Sequence, residues 1–351
     1  MNIQDLLKVA TQQGASDLHL LVGSPPMLRI GADLVPFPGE EKSPGPVMME
    51  EMFRAISSER QREHFNDKHE ADFAYSVPGL GRFRVNAAMQ RNTLALSIRC
   101  LPNEIPPMET LGVPEICKTL VLKRRGLILV TGSTCSGKST TQAAMIDYLN
   151  DRECRKVITV ESPIEFLHHN KKCLIAQREV GDDTMTFGSA MREALRQNAD
   201  VILIGEMRDI ETIDAALTAA ETGHLVLGTA HSLGAADTIE RIISAFPTDQ
   251  QDQVRTQLSI VLEAVISQML VPRADARGRK AVFEIMLATY AIRNLIRDRK
   301  TYQIPTMIEM GGQYGMQTYQ QALRSLVNSG VISLEEALLR APKAEELLTC
   351  R

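Results

Sequence analysis

The chain has 351 residues, 44% hydrophobic and 23% charged, with a formal net charge of −4 at pH 7. That length suggests about two or three domains with substantial cores. The slightly acidic balance excludes a global basic field of the kind that draws nucleic acid. Cys100, Cys117, Cys135, Cys154, Cys173 and Cys350 are scattered singles. They have neither metal-finger nor redox-motif spacing, so reduced cytosolic thiols are expected. The N-terminus, Met1 to Asp5, lacks the basic region and apolar core of a signal peptide, and no apolar run approaches a membrane span. A cytoplasmic protein is expected, with docking on a membrane complex left open.

In chain order, Ile3, Leu6, Leu7 and Ala10 share helical spacing, with Gly14 as a stop. Ser16 to Leu20 alternates like a half-buried strand, and Gly23-Ser24-Pro25-Pro26 and Gly31-Ala32-Asp33 punctuate further short strands. Val47 to Phe65 reads as helical. In Arg82 to Met89, the residues Phe83, Val85, Ala87 and Met89 share one face, and Arg82, Arg84 and Asn86 the other. In Leu94 to Arg99, the residues Leu94, Leu96 and Ile98 face in and Arg99 out. A small α/β domain follows, whose antiparallel sheet carries arginines on its polar face. Leu101 to Pro107 is a stiff, proline-rich linker.

Beyond the linker, strands and helices alternate, as in a parallel sheet with crossover helices. Strands are expected at Leu127–Thr131, Val157–Val160, Val201–Ile204 and Leu225–Thr229. Asp209 suits the N-cap of a helix ending near Gly223. Asp249 to Leu270 reads as one long amphipathic helix, with Val254, Leu258, Val261, Val265 and Met269 in register and Pro272 ending it. Arg273 to Lys280 is a polar connector, Ala281–Leu287 a last strand. Short helices follow from Ala288, including Gln317–Asn328 and Leu334–Arg340.

Gly132-Ser133-Thr134-Cys135-Ser136-Gly137-Lys138-Ser139-Thr140 fits G-x-x-x-x-G-K-[ST] without a gap. An apolar β-rich run precedes it and a helix-compatible run follows, the context that makes this pattern a phosphate loop. Its glycines let backbone N–H groups converge on an anion, and the next helix adds its positive end. Lys138 would reach the β- and γ-phosphates and Ser139 would ligate Mg²⁺, so ATP and Mg²⁺ are the expected ligands. Cys135, inside the loop, is either a low-pKa thiol open to oxidation or a small tolerated residue.

Acids or a histidine end three of the expected strands. Glu206 follows the apolar run Val201 to Gly205, where an acid holds Mg²⁺ through water or orients the attacking water. Glu161 lies at another carboxyl edge, where open α/β sheets bind ligands, although a salt-bridged surface acid reads equally well. His224 and His231 mark opposite ends of a third strand. His231, at the carboxyl end, is either structural or a γ-phosphate sensor. Zinc is not expected, since no Cys/His cluster accompanies them. Arg82, Arg84 and Arg99 suit either a solvated, ion-paired face or guanidinium fingers for charge on the transferring phosphoryl group, supplied across a subunit boundary.

Together these stretches resemble the type II/type IV secretion-system ATPases, specifically the pilus-retraction (PilT/PilU-like) branch. The likeness spans nearly the whole chain. It rests on Ala15-Ser16-Asp17-Leu18-His19-Leu20, Gly81 to Asn86, the phosphate loop and Glu161-Ser162-Pro163-Ile164-Glu165. It rests equally on Gln177 to Val180, Gly205-Glu206-Met207-Arg208-Asp209, Ala220 to His224 and Gly315-Met316-Gln317-Thr318. Ala291 to Arg297 resembles the AIRNLIR motif, which in that branch serves retraction rather than hydrolysis.

The resemblance implies an α/β chain: a PAS-like N-terminal domain (1–100), a linker (101–112), a RecA-like P-loop ATPase core (113–287) and a C-terminal helical region (288–351). It also implies a homohexameric ring that holds ATP between the two domains and is completed by arginines of the small domain. Glu161 matches the acidic "Asp box", Glu206 ends the Walker B strand, and His224 and His231 fall in the His box. Ser139, Glu161 and Glu206 are then the residues toward Mg²⁺, and Glu206, Glu161, His231, Arg82, Arg84 and Arg99 the catalytic set.

Two departures stand out. Ser162 replaces the aspartate of the usual Glu-Asp-Pro, removing one negative charge near the metal, and Ser133-Thr134-Cys135 replaces the usual Pro-Thr-Gly. Gln177–Asp183 and Gly278–Lys280 are similar to the PilU-like sub-branch and the AIRNLIR stretch to the PilT-like one. The expected function is a hexameric motor ATPase for pilus retraction and twitching motility, cytoplasmic and peripheral at the inner membrane through a platform protein, with a paralogous retraction ATPase as a further partner. Alternatives are a non-hydrolysing or weak accessory ATP-binding subunit, and a pilus-assembly or type II secretion ATPase, which usually carries a four-cysteine module that this chain lacks. A nucleic-acid translocase is disfavoured by the absence of Trp and the acidic charge.

Overall fold

Alternation over Arg82 to Met89 predicts a one-sided strand, and the computed structural model, which describes residues 2–31, 33–39, 42–102, 104–276 and 278–341, has one there. Cys350, Asn103 of the linker, Arg277 of the connector and the last ten positions of the C-terminal region lie outside the described residues. The chain forms two compact units, Met1–Glu104 with Pro163–Leu167, and Ile105–Ser162 with the chain from His168 onward.

The first unit runs α1 (Ile3–Gln12), β1 (Asp17–Leu21), β2 (Ser24–Ile30), β3 (Asp33–Pro36), α2 (Pro46–Ile56), α3 (Glu59–Lys68), β4 (Glu70–Val77), β5 (Gly81–Gln90) and β6 (Thr93–Cys100). Its six strands pair antiparallel in the order β3-β2-β1-β6-β5-β4. The buried faces of β1, β2 and β4–β6 pack with Ile3, Leu6, Leu7 and Ala10 of α1, Met49 and Phe53 of α2 and Phe65 of α3. Ser57 and Ser58 split the expected helix over 47–65. Ser57 Oγ donates back to Phe53 O, and Ser58 forms a capping box with Gln61 that starts α3 afresh. Pro25 and Pro26, expected as punctuation, begin β2, ahead of the positions that pair with β3. Met89, expected inside, is 40% exposed, one residue short of the end of β5.

The second unit runs α4 (Met108–Leu111), α5 (Ile116–Val121), β7 (Gly126–Thr131), α6 (Lys138–Asn150), β8 (Lys156–Glu161), β9 (Leu174–Glu179), α7 (Phe187–Arg196), β10 (Val201–Ile204), α8 (Ile210–Glu221), β11 (Leu225–Ala230), α9 (Ala235–Ser244), α10 (Gln251–Val261), β12 (Leu262–Pro272), β13 (Arg279–Leu287), α11 (Tyr290–Arg297), α12 (Ile304–Met310), α13 (Tyr319–Asn328) and α14 (Leu334–Arg340). Its seven strands lie in the order β13-β12-β7-β11-β10-β8-β9. All neighbours are parallel except β12 and β13. Apolar clusters cover the sheet on both sides, which explains why β7, β10 and β11 read as unbroken apolar runs. Asp209 caps α8 through Thr212 N as expected.

The long helix expected over 249–270 is a correction. The helix stops at Val261, and Leu262, with φ −64° and ψ 129°, turns directly into β12. Ala264, Val265 and Ile266 then pair with β7. Burial on both faces erased the alternation that would have marked a strand, and Val265 and Met269 happen to continue the helical register. β9, at the sheet's far edge, has no counterpart among the strands expected from the sequence. The last helices share these cores: Ile292, Ile296, Ile304 and Ile308 enter the largest cluster, while Tyr319, Leu323 and Ala337 pack with Val271 and Val282 of the β12–β13 hairpin.

Candidate nucleotide site

The six residues of β7 are buried, so the strand delivers the loop that follows it from a rigid base. Gly132 has φ +145°, and a Cβ there would lie 2.2 Å from Gln268 O, so only glycine fits. Gly137, at φ +90°, is the N-cap of α6 and offers the helix no side-chain cap. Lys138 is buried, and its ammonium folds back to donate to Gly132 O (3.0 Å) and Ser133 O (2.8 Å). Cys135 is exposed at φ +61°. Ser136 Oγ is buried without a hydrogen-bond partner and would lie 2.7 Å from a Cβ on Gly132. An uncapped helix start, a lysine held on its own loop and an orphaned hydroxyl inside the curl fit a phosphate group.

Glu161 and Glu206 stand at the carboxyl ends of neighbouring strands, β8 and β10. A Cβ on Gly205 would lie 3.2 Å from both Glu161 Cα and Val160 O, so the bare glycine lets the end of β10 close on the end of β8. Gly205 N donates to Val160 O at 2.7 Å. Glu161 Oε1 accepts from Thr159 Oγ1 (2.6 Å) and Gln177 Nε2 (3.3 Å). One residue past Gly205, Glu206 Oε1 lies 2.8 Å from His231 Nε2 and also ion-pairs with Arg208. Burial, then the nearby Lys138 charge, hold the His231 pKa below its usual value, with Glu206 opposing them. The imidazole is thus neutral near pH 7, able to share one proton with Glu206. His224 sits at the other end of β11, its Nδ1 3.0 Å from Ala219 O, closing the C-terminus of α8. Of the two histidines, His231 is the one beside the loop lysine and the Glu206 carboxylate.

Ser139, Glu161 and Glu206 offer hard oxygen donors suited to Mg²⁺. Among the described residues no group of three or more His, Cys, Asp or Glu could cage a metal.

In the first unit the arginines are engaged side by side. Arg84 forks onto Asp72, Arg99 Nε donates to Asp17 Oδ1 at 3.0 Å, and Arg82 reaches Ser76 Oγ (3.0 Å) and Ile164 O (3.1 Å). Arg208, Thr141 and Gln268 belong to the site as well, and no sequence signal marks them as functional. Arg208 was within reach, two positions after the strand-end acid. Gln268 was hidden by the helical reading of its segment.

The family profile described as type II/IV secretion system protein matches residues 82–339. The chain is 48% identical over 343 residues to a Pseudomonas aeruginosa protein named type IV pilus retractation ATPase PilT, covering 97% of this chain and 98% of that one. It is 41% identical over 348 residues to the type IV pilus ATPase PilU of the same organism, covering 99% and 90%. A crystal structure described as the pilus retraction motor PilT with bound ADP matches with a TM-score of 0.93 at 43% identity over 100% of both chains. No helix among the described residues is long and apolar enough to cross a membrane.

Proposed function

The chain belongs to the type II/IV secretion system protein family, and we propose on that premise that it is a motor ATPase driving retraction of a type IV pilus, the motion behind twitching. The observation that carries this reading is the full-length likeness to the ADP-bound retraction motor, together with a phosphate loop already shaped for an anion. Gly132 to Thr140 bind the phosphates through backbone N–H groups, and Lys138 exchanges its two loop carbonyls for phosphate oxygens. Ser139, Glu161 and Glu206 hold Mg²⁺, which when bound neutralises phosphate charge. Glu206 accepts the proton of the attacking water, and His231, neutral and 2.8 Å away, steadies that carboxylate. Arg82, Arg84 and Arg99 supply guanidinium charge toward the transferring group.

The same reading makes the protein a homohexamer at the cytoplasmic face of the inner membrane, seated on a platform protein. Its parts are a PAS-like domain over 1–100, a linker over 101–112, a RecA-like core over 113–287 and a helical region over 288–351. Ser162, one charge short of the usual acidic box, favours a second reading as a non-hydrolysing or weak accessory ATP-binding subunit.

Steady-state ATPase assays decide between them. The motor reading expects wild type to exceed Lys138→Ala and Glu206→Gln by at least about a hundredfold. A wild type no faster than either variant overturns it. A deletion strain then reports direction: lost retraction leaves more surface pili, lost assembly leaves none.

A further inference from the structure

We propose that Gln268, on β12, is a positioning residue that clasps both ends of the phosphate loop and thereby sets nucleotide affinity. This rests on the nucleotide-site reading above and extends it to a strand outside the motif. Ser267 is the last residue of β12 paired with β7, opposite Thr131, and Thr131 Oγ1 donates to Ser267 Oγ at 2.9 Å. The next residue, Gln268, is therefore carried just past the strand end from which the loop departs.

Three parts of Gln268 meet three parts of the loop. Its backbone oxygen lies 2.2 Å from where a Gly132 Cβ would stand, and its Nε2 lies 2.8 Å from the same point on Gly137. Its Oε1 accepts a hydrogen bond from Thr141 Oγ1 at 2.7 Å, one turn into α6. Thr131, Thr141, Ser267 and Gln268 are all buried, so water does not compete for these contacts. The entry glycine is thus referenced to the Gln268 backbone oxygen, and the exit glycine and the first turn of the helix to its side chain. A loop that binds phosphate by converging N–H groups depends on the separation of its ends, and misplacement of about an ångström is costly. A hydrophobic residue at 268 removes the acceptor for Thr141 and frees Gly137 to drift.

The test is titration of fluorescent ADP, with ATPase kinetics, on the full chain. Wild type, Lys138→Ala, Gln268→Met, Gln268→Leu, Thr141→Val, Thr141→Ser and the Gln268→Met/Thr141→Val pair are compared, each checked for its melting temperature. The expected result is a five- to thirtyfold rise in Kd and KM for Gln268→Met and Thr141→Val, with kcat changed less than threefold. The pair should lose no more than the worse single variant, and Thr141→Ser should recover most of the affinity lost in Thr141→Val. A merely structural role would lower the melting temperature and the active fraction together, leaving Kd and KM alone. That outcome, or Kd within twofold of wild type in both Gln268 variants, overturns the proposal. If Lys138→Ala binds as tightly as wild type, the nucleotide-site reading fails, and the clasp with it.

Discussion

The antiparallel sheet of the first unit carries its charge on a face, and the parallel sheet of the second carries its charge at strand ends. On the face, Arg84 stands directly opposite Arg99 in the β5–β6 register, an arrangement that repels unless neutralised. Asp72 and Asp17, from the outer neighbours β4 and β1, neutralise it. At the strand ends of the second unit there is no such ladder among the described residues. Lys138 rests on carbonyls of its own loop, and Glu206 rests on His231 and Arg208. A face distributes charge over neighbours that stay in place, whereas a strand end concentrates it where the chain leaves the sheet and a ligand can replace the partners.

Two glycines break this comparison most sharply. Gly132→Ala places a Cβ against the Gln268 carbonyl at φ +145°, with rigid β12 behind it. ATP turnover should fall at least about a hundredfold, roughly 3 kcal/mol of transition-state stabilisation. Gly79, in the first unit, also has a positive φ, +75°, but nothing lies within 4 Å of its Cβ position. Gly79→Ala should cost about 1 kcal/mol of stability in a urea melt and leave turnover unchanged. Equal losses of turnover from the two substitutions would mean that the loop's close approach to β12 is not what binding requires.

These magnitudes also show why the sequence was legible in some places and opaque in others. Gly132 and Gly137 are readable because a phosphate loop takes glycine where the backbone adopts positive φ with no room for a Cβ, against the Gln268 carbonyl at Gly132 and the Gln268 side chain at Gly137. β5 and β6 were readable because one face is polar, leaving a period of two. β12 was not, since it is buried on both sides and joins α10 with neither Gly nor Pro between them. The strand-end acids could be placed by position, but Glu161 reads identically as a surface acid until Gly205 shows how closely β10 passes it. Arg84 and Arg99 lie on the polar face that alternation predicts. Their pairing with Asp72 and Asp17 needed the strand order, which alternation does not contain.

Acid should sharpen the contrast by loosening the strand-end region. His168 is largely buried and its Nδ1 has no hydrogen-bond partner. Burial pushes its pKa from 6.5 down to about 4, against Asp147, which raises it, and with Lys171 and His169, which lower it further. The folded state therefore takes up a proton less readily than the unfolded chain. Stability is full above pH 6.5 and is lost as the pH falls toward 4. Between pH 7 and 5 the loss is about 2 kcal/mol. His168→Gln should flatten that part of a urea-midpoint profile, and an unchanged slope would show that the imidazole is hydrated. The backbone N–H of His168 donates to Gln177 Oε1, and Gln177 Nε2 in turn donates to Glu161 Oε1, so loosening this segment should lower activity along with stability over the same interval.

The smallest effect on stability carries the sharpest question for the arginine face. Arg84 and Asp72 are both more than a third exposed, so their pair contributes less than about 1 kcal/mol to folding. If the face is only an ion-paired surface, Arg84→Ala should change neither the melt nor the turnover. If its guanidinium serves charge on the transferring phosphoryl group, kcat of the assembled motor should fall about tenfold or more with the melt unmoved. Arg84→Lys should then fail to rescue, because an ammonium cannot reproduce the planar fork. Asp72→Asn separates the two further, since it removes one counter-charge of Arg84 while keeping the guanidinium, and weakens the neutralisation of the two like charges facing each other across β5 and β6. Under the catalytic reading kcat survives that change while stability slips by a few tenths of a kcal/mol, the opposite pattern to Arg84→Ala.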